Sequence, residues 1–213
     1  MTHPPQFDDV FRHGLADLLA WRRDVRRFRR DPVSPEILDA LLRLACLAPS
    51  VGNSQPWRFV TVDDAARRTQ IVENFKACNL RAGALYKGEE AERYAMLKLA
   101  GLEEAPVHIA VFAEDAPVEG KGLGRQTMPQ TTLYSTVGAI HTLWLAARAH
   151  HIGLGWVSIL DPEAVTETLS VPETWHFVGY LCLGYPVEEH VDPELDRAGW
   201  QKSLPHSAFV FER

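Results

Sequence analysis

The chain has 213 residues, of which 46% are hydrophobic and 23% charged, enough for one ordinary domain that buries its own core without cross-links. Its formal charge of -6, with 28 acidic side chains against 22 Lys and Arg, argues against a protein built to hold a long nucleic acid. Three scattered cysteines, Cys46, Cys78 and Cys182, rule out a disulfide framework or a paired-cysteine metal knuckle and point to a reducing, cytoplasmic setting.

The elements follow in chain order. Residues 8–21 place apolar groups at Val10, Phe11, Leu15, Leu18 and Leu19, the spacing of a helix, with Asp8 or Asp9 as its cap. Ser34-Pro35-Glu36 starts a second helix, and its apolar stripe through Leu44 and Ala45 ends before Pro49. Residues 49–56, PSVGNSQP, have loop composition, and Trp57–Val62 reads as a strand. Residues 64–100 read as helical, with a break at Gly88-Glu89-Glu90. Val107–Ala113 is a second strand, and 114–131 a long loop of the kind that tends to carry function. Ser135–His150 is apolar nearly all round, which predicts a helix buried in the core or in a subunit interface. Ile152–Leu160 is a third strand, Asp161-Pro162-Glu163 opens a helix to about Leu169, and Trp175–Leu183 is a fourth strand. An irregular tail follows Pro186. Helices outweigh strands around one sheet, so the class is α/β or α+β, and the strand order stays open.

No signal-peptide layout is visible in MTHPPQFDDVF. The apolar runs fall short of the ~20 residues that span a bilayer, so no membrane association is expected. Nine scattered histidines show no metal-ligand spacing, and no metal is expected. Gly120-Lys-Gly-Leu-Gly-Arg125 lacks the ending of a phosphate-binding loop, and Gly153-Leu-Gly-Trp-Val-Ser158 lies in a strand rather than at a strand-to-helix turn. Both suit a close backbone approach or a bulge.

Charge is the informative feature. Residues 22–30 read RRDVRRFRR, six Arg against one Asp, a local +5 that leaves -11 for the rest of the chain. Such an island suits a small anion; a solvated helix end is the plainer reading. Arg22, Arg23 and Arg26 can clamp one phosphate monoester, and Arg27, Arg29 and Arg30 read as a solvated face. Asp24 weakens such a clamp. It is either an ion-pair partner for a neighbouring Arg or a base held beside a bound substrate. The loop side chains Ser50, Asn53 and Gln55 can hydrogen-bond a heterocycle edge or a polyol.

Three segments carry a resemblance: Arg22-Arg-Asp-Val-Arg26, Ala48-Pro-Ser-Val-Gly-Asn-Ser-Gln-Pro-Trp57, and Gly153–Ser158. Together they resemble the FMN-binding nitroreductase family, and within it the flavin-fragmenting branch, over about residues 22–205. Asp24 stands where general nitroreductases usually have Ser. The resemblance implies an α+β fold with a mostly antiparallel sheet of about four to five strands flanked by helices, one domain over 1–213, and a lid insertion around 80–105. It implies an intertwined homodimer with FMN at the subunit interface, held by Arg22, Arg23, Asp24, Val25, Arg26, Pro49, Ser50, Gly52, Asn53, Gln55, Leu99, Val157, Ser158 and Lys202. The implied reaction consumes reduced FMN with molecular oxygen, releasing a dimethylbenzimidazole and erythrose 4-phosphate, with Asp24 and Ser158 as catalytic residues. A separate NAD(P)H-dependent reductase would supply the reduced flavin. The competing readings are an ordinary NAD(P)H-dependent nitroreductase or flavin reductase on the same fold, and a non-enzymatic flavin or nucleic-acid module using the arginine island.

Overall fold

The computed structural model describes residues 3–213. Four strands form one antiparallel sheet: β1 (Trp57–Thr61), β2 (Val107–Glu114), β3 (Gly153–Val157) and β4 (Trp175–Gly184), in the spatial order β1-β2-β4-β3. Around it lie α1 (Asp9–Trp21), α2 (Pro35–Ala45), α3 (Ala65–Gly83), α4 (Glu89–Met96), α5 (Thr131–Ala149), α6 (Pro162–Leu169) and the short α7 (Glu194–Arg197).

Alternation along the two central strands divides the core. Ile109 and Val111 of β2 and Leu181 and Leu183 of β4 join Leu41 of α2 and Ile140 and Leu143 of α5. Ala110, Phe112, Tyr180 and Cys182 face the other way, onto Ile71 of α3 and Val165 of α6. Both faces are covered by helices. That is why β2 reads as a continuous apolar run although its neighbours are antiparallel.

Helix starts follow their caps. Asp8, Ser34, Asp64 and Asp161 each accept a backbone N–H of the first turn.

Three expectations need correction. The helix expected from Ser135 begins at Thr131. Its polar first turn is held by hydroxyls that bond back along the chain, Ser135 Oγ to the Thr131 carbonyl at 2.7 Å and Thr136 Oγ1 to the Thr132 carbonyl at 3.0 Å. In the single chain Tyr134 and Val137 of α5 are exposed, while Ala139, Ile140, Leu143 and Ala147 are buried in the core. The break in 64–100 falls at 84–88, where Gly88 takes φ +56° just before α4, and residues 97–100 are not helical. The third strand stops at Val157, the last residue paired with β4.

Candidate functional site

The arginine segment owes its place to two glycines. After α1 the chain runs along the outer edge of β3, with the Val25 N–H donating to the Leu154 carbonyl at 3.0 Å. A Cβ at Gly155 would sit 2.1 Å from the Val25 carbonyl oxygen, and one at Gly153 would sit 2.8 Å from Val25 Cγ2. The Gly-x-Gly of β3 is therefore a docking surface for backbone, the close-approach reading of that motif.

Once docked, Asp24 turns inward. Its Oδ1 accepts the Trp156 N–H at 2.9 Å, and its Oδ2 accepts Arg26 Nε at 2.7 Å. Burial pushes its pKa up; Arg26 and the Trp156 N–H pull it back, and Glu194 adds to the rise. Arg26 is nearly buried, and its Nη1 donates to the Lys98 carbonyl at 2.9 Å. Lys98 Nζ in turn pairs with Glu104 at 2.6 Å.

Arg22 and Arg23 sit differently. The Arg22 guanidinium lies 4.7 Å from the centroid of the Trp144 ring and has no hydrogen-bond partner among the described residues. Burial and then Arg23 lower its pKa, and Asp24 opposes them. Trp144 Nε1 donates to the Arg23 carbonyl at 3.2 Å, which fixes the turn. Arg23 Nε donates to the Val191 carbonyl at 2.6 Å and its Nη1 to the Arg22 carbonyl at 2.9 Å. A cleft opens here, lined by Trp21, Arg23, Asp24, Arg26, Gly153 and Glu194 among others. Arg27, Arg29 and Arg30 are exposed; Arg27 pairs with Glu188 and Glu194, and Arg29 with Asp31.

The loop of residues 49–55 is built by other means. Gly52, Asn53 and Gln55 all have positive φ, at 56°, 55° and 48°. The Val51 N–H donates to Ser135 Oγ at 3.0 Å, and the Gln55 N–H to Ser50 Oγ at 3.0 Å. A Cβ on Gly52 would lie 3.0 Å from the Leu123 carbonyl, so the 117–124 loop packs directly beneath it. Pro49, Asn53 and Gln55 face solvent.

Within one chain, then, the expected site residues fall into separate groups. Arg22, Arg23, Asp24, Val25 and Arg26 gather on β3, and Leu99 follows the Lys98 carbonyl that Arg26 holds. Pro49, Ser50, Gly52, Asn53 and Gln55 sit at the first turn of α5. Ser135 and Trp144, which mark the two groups, are nine residues apart, about 13 Å along a helix. Val157 is buried at the end of β3, and Ser158 is exposed just beyond it. Lys202 is exposed in the segment after α7, its carbonyl bonded by Gln201 Nε2 at 2.9 Å. Sequence reasoning missed Lys98, Glu104, Ser135 and the role of Trp144 under Arg22. Of these, Lys98 left a trace as the charge that precedes Leu99.

The 80–105 region also touches the tail. Tyr86 and Tyr94 stack with centroids 4.9 Å apart, and Trp200 meets them edge-on at 5.1 and 6.0 Å. Tyr94 Oη donates to Asn79 Oδ1 at 2.6 Å.

A family model described as the nitroreductase family matches residues 19–185, and the chain belongs to that family. A curated 5,6-dimethylbenzimidazole synthase of Rhodospirillum rubrum is 59% identical over 206 residues, covering 97% of this chain and 98% of the relative. A second, from Rhodobacter capsulatus, is 50% identical over 199 residues, covering 93% and 96%. Among solved structures, an oxidized iodotyrosine deiodinase bound to FMN and 3-iodo-L-tyrosine superimposes with a TM-score of 0.70 at 27% identity, covering 83% of this chain and 91% of that one.

Does the donor set suit a flavin phosphate? Arg22 is a partly desolvated cation whose guanidinium has no hydrogen-bond partner among the described residues, next to Arg23, a second cation that lines the cleft. Such a group is satisfied by an anion of phosphate type. The residues fit.

Proposed function

We propose that this protein is a 5,6-dimethylbenzimidazole synthase, which consumes reduced FMN and molecular oxygen and releases 5,6-dimethylbenzimidazole, the lower ligand of cobalamin, together with erythrose 4-phosphate. The observation that carries the reading is Asp24, a partly buried carboxylate fixed by a backbone N–H and a guanidinium inside an arginine segment. The name borne by the near-full-length curated relatives supports it. Reduced FMN supplies both the electrons that oxygen takes up and the carbon skeleton of the product.

The chain's own residues do the rest. Arg22 and Arg23 hold the phosphate, with Lys202 as a further cation. Val25 and Leu99 border the flavin, and Ser158, next to Val157, hydrogen-bonds the ring while oxygen reacts. Asp24 accepts a proton near C1′ of the ribityl chain, where a carbon–carbon bond must break. The lid of residues 80–105 excludes water, which keeps the electrons on the productive path.

A second copy of the chain completes the site. Its loop, through Pro49, Ser50, Gly52, Asn53 and Gln55, faces the arginine segment of the first. Two features support a homodimer. The two groups of site residues lie at opposite ends of α5, and a large apolar set is exposed: Phe11, Leu15 and Leu19 on α1, Val137 on α5, and Phe209 and Phe211 in the tail. We place the enzyme in the cytoplasm as one domain, supplied with reduced flavin by a separate reductase.

The test is to add chemically reduced FMN in air and look for the benzimidazole by mass. Asp24→Asn is expected to bind FMN normally and to lose product formation by about a hundredfold or more, the scale of a lost general base. Product at the normal rate in that variant would remove Asp24 from the chemistry. A stable yellow protein that bleaches with NADPH and makes no benzimidazole would favour the flavin reductase reading.

A further inference from the structure

We infer that Arg26 is a positioning residue for Asp24 rather than a phosphate ligand, and that through the Lys98 carbonyl it ties Asp24 to the lid. The inference rests on the reading of Asp24 as the proton acceptor.

Geometry separates Arg26 from its neighbours. Among the described residues Arg22 has no hydrogen-bond partner for its guanidinium, whereas Arg26 spends Nε on Asp24 Oδ2 at 2.7 Å and Nη1 on the Lys98 carbonyl at 2.9 Å. Its side chain is 12% exposed and that of Asp24 27%. Of its five N–H donors Arg26 commits Nε, and with it the side-on edge of the fork, to Asp24 and one Nη1 N–H to Lys98, whereas Arg22 commits none among the described residues, so Arg22 is the better placed of the two for a two-pronged grip on phosphate.

The Arg26 contacts span 72 residues of chain, from the β3 edge to the segment that follows α4. On the lid side Lys98 is itself held, with its ammonium 2.6 Å from Glu104 Oε1. The other Glu104 oxygen is buried with no hydrogen-bond partner, so that carboxylate depends on Lys98. The carboxylate of Asp24, the guanidinium of Arg26, the main chain at Lys98 and the Lys98–Glu104 pair form one connected chain. Movement of the 97–100 segment is transmitted to the group that takes the proton.

The charges facing Asp24 from each packed element are few. Arg22 and Arg26 belong to its own segment, the Cys182 thiol to β4 and Glu194 to α7; the Lys98–Glu104 pair lies behind Arg26. Arg26 is the cation bonded directly to the carboxylate. It favours the ionised form against the burial that opposes it. A base must be ionised to accept a proton, so loss of Arg26 moves the acid limb of the rate profile toward higher pH.

The experiment compares Arg26→Gln and Arg26→Lys with the unaltered protein, using reduced FMN and reduced riboflavin. For Arg26→Gln, the ratio of product formation at about pH 9 to that at about pH 6 is expected to rise by roughly tenfold, because the ionised fraction of a base changes tenfold per pH unit below its pKa. The preference for binding FMN over riboflavin is expected to stay within about twofold. Arg26→Lys keeps a charge but loses the planar fork. It is expected to restore the acid limb while releasing about twofold or more extra peroxide per benzimidazole formed. A collapse of the FMN preference with an unmoved pH profile would assign Arg26 to the phosphate and overturn the inference. An acid limb that stays displaced in Arg26→Lys, or peroxide that does not rise, would overturn it as well. If instead Asp24→Asn turned over normally, the base reading would be the one that failed. Should Arg26→Gln not fold, the Lys variant still reports on both points.

Discussion

The arginine segment and the 49–55 loop are two parts of one proposed site, yet they are held in opposite ways. Residues 22–26 are fixed by long-range contacts: a main-chain bond to β3, a backbone N–H and a guanidinium on Asp24, and an indole under Arg22. The loop is shaped mostly by itself, through left-handed backbone at Gly52, Asn53 and Gln55 and the Ser50–Gln55 bond, with a side-chain tie to α5 at Ser135. A part that must hold charge and move a proton is built into the sheet, where side-chain positions are set by packing. The loop needs only a rigid turn, its main-chain N–H groups at Val51, Asn53, Ser54 and Gln55 spent on that turn and on Ser135, and it presents Pro49, Asn53 and Gln55 outward.

That contrast can be broken at either end. The largest effect after loss of Asp24 is expected from Gly155→Ala. Its Cβ would meet the Val25 carbonyl oxygen at 2.1 Å, and neither strand nor segment can yield without losing the bond between them. Forced overpacking of this kind costs about 1–3 kcal/mol. For a chain of this size that lowers Tm by roughly 2–4 °C per kcal/mol, measurable by thermal unfolding. Affinity for reduced FMN is expected to fall with it, because Arg22 and Arg23 move together with Val25. An unchanged Tm would mean that the segment docks elsewhere.

Ser135→Ala acts at the loop end of α5, where Ser135 Oγ also bonds the Thr131 carbonyl. It leaves the Val51 N–H without its acceptor at about 1 kcal/mol. The expected result is a KM for reduced FMN raised several-fold with the acid limb of the pH profile unmoved, since Asp24 lies at the other end of α5. A moved acid limb would show that the two parts are coupled more tightly than their structures suggest.

The smallest effect is expected from Trp200→Ala. This removes the edge-on partner of Tyr86 and Tyr94, worth about 0.5–1.5 kcal/mol for an aromatic pair. Benzimidazole is still expected to form, with modestly more peroxide released as the lid loosens. An unchanged peroxide yield would mean that the tail does not restrain the lid.

Much of the site was legible as chemistry. Asp24 stood out because one carboxylate among six arginines asks for a reason, and the structure answers with two bonds, one of them the ion pair to a neighbouring Arg that was the plainer alternative. What could not be read was the division of labour among the arginines. Arg22 and Arg26 are chemically identical in a sequence. Among the described residues one lies without a hydrogen-bond partner over Trp144, and the other is committed to Asp24 and Lys98. Asp24 is local, but Trp144 and Lys98 come from 122 and 72 residues away, and nothing local selects them.

The same division runs through the fold. By itself the sequence determined the features whose causes lie within a few residues: the caps at Asp8, Ser34 and Asp161, the turn at 49–56, the apolar runs of β2 and β4, and the charge of the island. Only the tertiary structure decided the strand order, the docking of Val25 on Gly155, the start of α5, and the placing of the two parts of the site at its opposite ends. The physical reason is range. Capping bonds and strand periodicity act between neighbours along the chain, whereas charge pairing, close backbone approach and desolvation depend on groups that folding alone brings together.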